Sequence, residues 1–194
     1  LDPFPDRGNE EPVVRTLPEE VCDLSDGIVT LRAFNEADVE DLTRACKDEE
    51  LHRWTVMIPS PYEERHARWF LAQIPKWWQD GTSAHLAIAD TSGTLLGAIA
   101  LESLDLTART SSVGYWVSSW ARNKGIATRA LGLLVGWAFN GLGVRELSLL
   151  TMVGNRASER VAEKVGFQEE GEATEIQIGD ARRTVRKWVL RAPQ

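Results

Sequence analysis

Cysteine is almost missing from this chain: Cys22 and Cys46 are the only two in 194 residues. They have neither the paired spacing of a metal site nor the density of a disulfide scaffold. Both of those architectures are therefore excluded, no metal ligand set is read, and neither thiol is expected to be catalytic. Long apolar runs are missing too. No stretch approaches the roughly 18 residues that a membrane-spanning helix needs, and the charged, proline-bearing N-terminus lacks the apolar region of a signal peptide. A cytoplasmic location without membrane contact is expected. There is no Gly-x-Gly-x-x-Gly and no Gly-x-x-x-x-Gly-Lys-Ser/Thr, which sets aside dinucleotide and P-loop triphosphate sites. No internal repeat or low-complexity segment occurs.

A basic surplus is also absent. The net charge is -7, and residues 1–26 hold eight acids against Arg7 and Arg15, so six of those seven charges belong to that segment. Duplex nucleic acid, which wants a basic face, is not an expected partner. With Pro3, Pro5, Pro12 and Pro18, residues 1–26 read as a poorly ordered or surface-docked extension. Residues 27–194 then form one domain, long enough to bury a full core.

Within it, Ile28–Arg32 reads as a strand, and Asn35–Asp38 opens a helix carrying Leu42, Ala45 and Cys46. Tyr62–Ile74 reads as a helix burying Trp69, Phe70 and Ile74, with Pro75 stopping or kinking it. Ala84–Ala89 and Leu95–Leu101 form a hairpin about Asp90–Gly93, and Glu175–Ile178 pairs with Thr184–Leu190 about Gly179.

The densest signal is residues 113–128, Val-Gly-Tyr-Trp-Val-Ser-Ser-Trp-Ala-Arg-Asn-Lys-Gly-Ile-Ala-Thr. A strand runs through Arg122, Asn123, Lys124, Gly125, Ile126 and Ala127 directly into a helix over Thr128–Asn140. Main-chain amides at a helix start have no intrahelical partners and attract anions, helped by the helix dipole. Gly125 and the small Ala127 let the backbone approach a bulky diphosphate. A strand over Val144–Met152 follows, then a helix that opens as Asn155-Arg-Ala-Ser158 and ends at Gly166, a left-handed C-terminal residue.

The order strand, phosphate turn, helix, strand, Asn-x-x-Ser helix and Gly-Phe resembles the acetyl-CoA-binding half of the GNAT N-acetyltransferase superfamily. Gly114-Tyr115-Trp116 and Asn155-x-x-Ser158 look like its RimJ/RimL-like branch. The resemblance covers about residues 27–191. It implies an α/β (α+β) fold of the acyl-CoA N-acyltransferase type, whose mixed, mostly antiparallel central sheet splays at the cofactor cleft between flanking helices. It further implies acetyl transfer from acetyl-CoA, a cosubstrate needing no metal, to a protein N-terminal or small-molecule amine by direct attack in a ternary complex. A homodimer is possible, since exposed strand edges can be covered that way.

On the same resemblance, the amides of Arg122–Ala127 and the Thr128 hydroxyl hold the pyrophosphate. A bulge near Val117 frees backbone groups for pantetheine and the thioester oxygen. Asn155 bonds the pantetheine arm, Ser158 sits near the sulfur as the catalytic candidate for hydrogen-bonding or protonating the departing thiolate, and Arg160 helps at the adenosine end. Ser158 could equally be a capping serine. Trp54 and one of Trp77 or Trp78 are placed at the acceptor site, while His52 and His66 read as surface histidines.

The expected general base is missing. Many relatives carry glutamate at the position of Ser112, so the base must come from elsewhere, from water, or from an acceptor already deprotonated. Glu102 is the nearest acidic candidate, with Asp105 weaker, and the competing reading of Glu102 is a solvated strand-end residue. Without a base, the alternative is a non-catalytic CoA-binding regulatory or interaction module. Transfer of a longer acyl group is a third possibility.

Overall fold

A computed structural model describes residues 16–19, 21 and 23–193. Cys22 and most of the acidic extension lie outside the described residues. In chain order the elements are β1 (Leu24–Ser25), β2 (Thr30–Arg32), α1 (Asp38–Ala45), α2 (Glu49–Trp54), α3 (Glu64–Gln79), β3 (Ala84–Ala89), β4 (Leu95–Asp105), β5 (Thr110–Val117), α4 (Ile126–Gly136), β6 (Glu146–Met152), α5 (Arg156–Val165), β7 (Gln168–Glu169), β8 (Thr174–Ile178) and β9 (Ala181–Arg191). The strands form one sheet in the order β1-β2-β3-β4-β5-β6-β9-β7, with β8 also on β9. Every pairing is antiparallel except β5 with β6. The mixed, mostly antiparallel sheet flanked by helices is the expected fold class. No described helix is long and apolar enough to cross a membrane.

Period-two alternation divides the core between the two faces of the sheet. Leu86, Ile88, Ile99, Leu101, Val113, Leu147 and Leu149 pack with Ala130, Leu131 and Leu134 of α4 and Ala162 of α5. A smaller core gathers Val39, Leu42, Cys46, Leu51 and Tyr62 with Ala87, Leu95 and Trp116.

Several expectations need correction. The third helix does not stop at Pro75 but runs on to Gln79. Trp78 explains this: it is buried, stacks on Trp137 with centroids 6.1 Å apart, and donates from Nε1 to the Pro18 carbonyl at 2.7 Å. That packing outweighs the one hydrogen bond a proline removes. Trp69, expected inside, is 60% exposed. Of the two readings of residues 1–26, the described part takes the docked one: Leu17 joins the core and β1 pairs with β2. Finally, β4 does not end at Leu101 but carries Glu102 inside the ladder.

The sheet opens between β5 and β6. They pair only from Thr110/Glu146 to Val113/Leu149, after which both strands continue apart. The bulge expected near Val117 is absent: β4 and β5 stay in register from Gly97/Val117 to Glu102/Ser112, and the slips fall between Ile88 and Ala89 and between Glu102 and Asp105. Divergence of two strands, rather than an inserted residue, makes the splay.

Gly97 permits this close ladder, since a Cβ there would lie 2.2 Å from the Trp116 carbonyl oxygen. A backbone atom cannot swing aside, so Gly97→Ala is expected to destabilise the fold by about 1–3 kcal/mol. The guanidinium unfolding midpoint measures it, and an unchanged midpoint would contradict the packing argument.

Candidate active site

Beyond β5, the turn Ser119–Ala121 leads into a loop in which Asn123 and Gly125 have φ of 61° and 77°. Gly125 is the N-cap of α4 and no side chain caps the helix. The backbone bond from Arg129 N to Gly125 O, 3.1 Å, places the amides of Ile126, Ala127 and Thr128 ahead of the helical ladder. A Cβ on Gly125 would meet nothing within 4 Å, so the space on that side of the turn is open.

The neighbouring cations are already engaged. Lys124 Nζ donates to the Trp120 carbonyl at 2.8 Å, and Arg129 pairs with Asp26 at 2.7 Å. Asp26 is held at a pKa of about 2, first by the Val29 amide and then by Arg129. Arg122 donates from Nε to the Val117 carbonyl at 3.2 Å and pairs with Asp48 at 3.0 Å. The loop's pull on an anion thus comes mainly from its main chain and the dipole of α4.

The mouth of the splay adjoins this loop. Ser118 N bonds the Leu96 carbonyl at 2.8 Å, so by the alternation of an antiparallel ladder Trp116 and Gly114 also bond toward β4. Tyr115 and Val117 then direct their main-chain groups toward the opening. Across it, Asn155 is the N-cap of α5, its Oδ1 accepting from Ser158 N at 3.2 Å. Ser158 Oγ lies 2.9 Å from the Tyr115 hydroxyl. Burial raises the Tyr115 pKa to about 12, opposed by the bond to Ser158, so the phenol stays protonated at neutral pH. Arg160 is exposed on α5.

Glu102 occupies the other face of the sheet. It is the cross-strand partner of Ser112, and a Cβ on Gly114 would lie 3.2 Å from its Oε1 and 3.4 Å from its Oε2. The carboxylate therefore leans over Gly114. Ser111 and Ser112 both donate to its main-chain carbonyl, at 2.8 and 3.1 Å, and the next residue, Ser103, sits at φ 47° where the ladder slips. Such irregularities re-aim side chains. Glu102 as a whole is exposed, while the protein atoms around its carboxyl desolvate it enough to raise its pKa above the ordinary value.

An aromatic wall stands on this face. His85, opposite Ala100, packs on Trp77 with centroids 4.9 Å apart and on Phe70 at 5.5 Å, and Trp77 continues to exposed Trp69 at 6.2 Å. Burial lowers the His85 pKa to about 4, leaving a neutral imidazole. Sequence reading passed over His85, although it interrupts the apolar run Ala84–Ala89, and it gave no role to the Tyr115 hydroxyl. Trp77, not Trp78, belongs to the wall. Trp54 is half-buried and lies 3.9 Å from where a Gly154 Cβ would stand. His66 accepts from the Glu63 amide through Nδ1, which makes it part of a helix cap. Burial holds the Cys46 thiol at about 12, ruling out a thiolate nucleophile.

A strand pair that parts beside a helix-capped anion loop defines a class of acyl-transfer enzyme. The family described as "Acetyltransferase (GNAT) domain" matches residues 29–168, more than half of the chain, and the chain belongs to that family as an acetyl-CoA-dependent N-acetyltransferase. It is 31% identical over 152 residues to "Putative ribosomal N-acetyltransferase YdaF" of Bacillus subtilis (strain 168), covering 75% of this chain and 80% of that protein. Two solved structures share the fold. The microcin C7 self immunity acetyltransferase MccE, in complex with acetyl-CoA and AMP, superposes with a TM-score of 0.77 at 18% identity, covering 91% of this chain and 99% of that one. Mycobacterium smegmatis RimJ in complex with CoA-disulfide gives 0.76 at 24% identity, covering 86% and 83%.

A bulky side chain in the open space at Gly125 should exclude a diphosphate. Gly125→Trp is expected to weaken acetyl-CoA binding at least tenfold in calorimetric titration, while the fold tolerates the roughly 1–3 kcal/mol of backbone strain. Equal affinity in a folded variant would move the anion site elsewhere.

Proposed function

We propose that this protein transfers the acetyl group of acetyl-CoA to a primary amine, on a protein N-terminus or a small molecule, by direct attack within a ternary complex. The observation that carries the reading is the placement of the Glu102 carboxylate over Gly114 on one face of the splay, with the Tyr115–Ser158 hydroxyl pair on the other. Names of relatives such as the Bacillus subtilis protein favour a protein amine as acceptor.

The cosubstrate's pyrophosphate sits on the amides of residues 122–127, with Thr128 adding its hydroxyl. Pantetheine runs along the unpaired edge of β5, meeting the main chain at Tyr115 and Val117 and the Asn155 side chain, and Arg160 serves the adenosine end. The acceptor approaches from the face of Glu102 between Trp54 and Trp77. An ammonium gives its proton to Glu102, and the freed lone pair forms the new C–N bond at the thioester carbon. The Val117 amide donates to the oxyanion. As the C–S bond breaks, the departing thiolate takes the Tyr115 hydroxyl proton, and Ser158 Oγ hydrogen-bonds the resulting phenolate. The second proton of the acylated nitrogen passes through solvent to restore Tyr115, and Glu102 gives the first proton to solvent, so CoA thiol, amide and one released proton close the balance.

A base must be ionised, so activity should rise as Glu102 loses its proton, with the acidic limb of kcat/KM above the pH of an ordinary carboxyl. Glu102→Gln is expected to remove that limb and lower kcat/KM by about 10²–10⁴-fold. The same substitution should raise the melting temperature at neutral pH. A carboxyl with a raised folded pKa binds more protons in the folded than in the unfolded state, so it costs stability once pH exceeds the unfolded value, and glutamine removes that cost. Release of CoA thiol across an amine panel is the assay. Acetyl-CoA binding with no turnover on any amine would favour a CoA-binding interaction module instead.

A further inference from the structure

Helix α2 has only six residues, too few to persist without tertiary support; its N-terminus is tied to the anion loop and its C-terminal tryptophan faces the turn before α5. At its N-terminus, Asp48 uses both carboxylate oxygens. Oδ1 caps the helix, accepting from Glu50 N at 2.8 Å and Leu51 N at 3.3 Å. Oδ2 meets Arg122 Nη1 at 3.0 Å, and the same guanidinium holds the Val117 carbonyl at 3.2 Å. Arg122 begins the anion loop and Val117 ends the open edge of β5. The Asp48 and Arg122 side chains are only 16% and 30% exposed, so the pair is less screened than a surface ion pair.

At the C-terminus of α2, the Trp54 ring faces Gly154, the residue before the cap of α5, where a Cβ would stand 3.9 Å from its Cη2. Its indole is held by Nε1 donating to Glu50 at 2.7 Å and by the Arg53 guanidinium 4.9 Å from the ring centroid. The helix thus spans from the anion loop to the Asn155 turn, carrying an acceptor-wall tryptophan between them.

We propose that Asp48 is a positioning residue that transmits occupancy of the anion loop to α2, so that bound cosubstrate fixes the acceptor wall. A ligand that orders Arg122–Thr128 fixes the guanidinium. The guanidinium fixes the free oxygen of a carboxylate whose other oxygen starts the helix, and Trp54 is set in turn. The proposal rests on the reading that this loop binds CoA, and its test separates the two.

Hydrogen exchange is measured with and without CoA in the unaltered protein and in Asp48→Asn, which keeps a good helix cap but removes the charge. CoA should slow exchange in the unaltered protein at residues 122–129 and also at the α2 amides His52 to Thr55, the latter about tenfold, within the usual range of site-to-site coupling. In Asp48→Asn, CoA should bind within about threefold of the original affinity and still protect residues 122–129, while the effect on α2 falls below about twofold. Arg122→Gln breaks the same pair from the other side and should also release α2. Undiminished α2 protection in Asp48→Asn, or none in the unaltered protein beside a protected loop, overturns the proposal. Absence of protection at residues 122–129 overturns the cosubstrate reading itself, and the proposal with it.

Discussion

Backbone hydrogen bonding at one strand boundary governs the rest of this molecule. β5 and β6 share a parallel ladder for four residue pairs and then part, with β5 still bonded to β4 along its other edge. Main-chain groups of Tyr115 and Val117 are left facing an opening, where an unpaired polar group is costly unless water or a ligand satisfies it. An extended amide-bearing chain is the natural occupant, because it can meet those groups as a further strand would. The Arg122 guanidinium on the Val117 carbonyl satisfies one of them within the protein.

Strand alternation then sorts the chemistry. Glu102, Gly114 and Trp116 share one face, and Tyr115 points through the other toward Ser158. A carboxylate and a phenol are thus kept apart by the thickness of a sheet, and each has its pKa shifted upward by burial. The carboxyl is made more basic and the phenol is kept protonated.

What could be read along the chain were features written in consecutive residues. The Arg122–Thr128 turn, the Asn155 cap and the left-handed Gly166 depend on local geometry, and the structure contains each of these turns. Features that depend on register were harder to see. Nothing in the string distinguishes Trp69, exposed at the end of an aromatic wall, from Trp78, sealed against Trp137. Their difference is set by which side of one long helix meets the sheet, and that helix runs through a proline that local rules treat as a stop. His85 and Tyr115 gain their surroundings from residues far away in sequence, Phe70 and Trp77 for one and Ser158 for the other. The bulge inferred at Val117 shows the complementary error, since a strand opening was correctly expected but tied to the wrong local device.

The facing of Glu102 and Ser112 bears on how this chain compares with its relatives. Directly opposed residues on one face of an antiparallel pair have Cβ atoms about 5 Å apart, so a carboxylate can pass from one strand to its neighbour and keep its end over the same glycine. Position 114 is coupled to that placement: a Cβ there would stand 3.2 Å from Glu102 Oε1, so any larger residue would push the carboxylate aside by a few tenths of an ångström and shift where the acid ends.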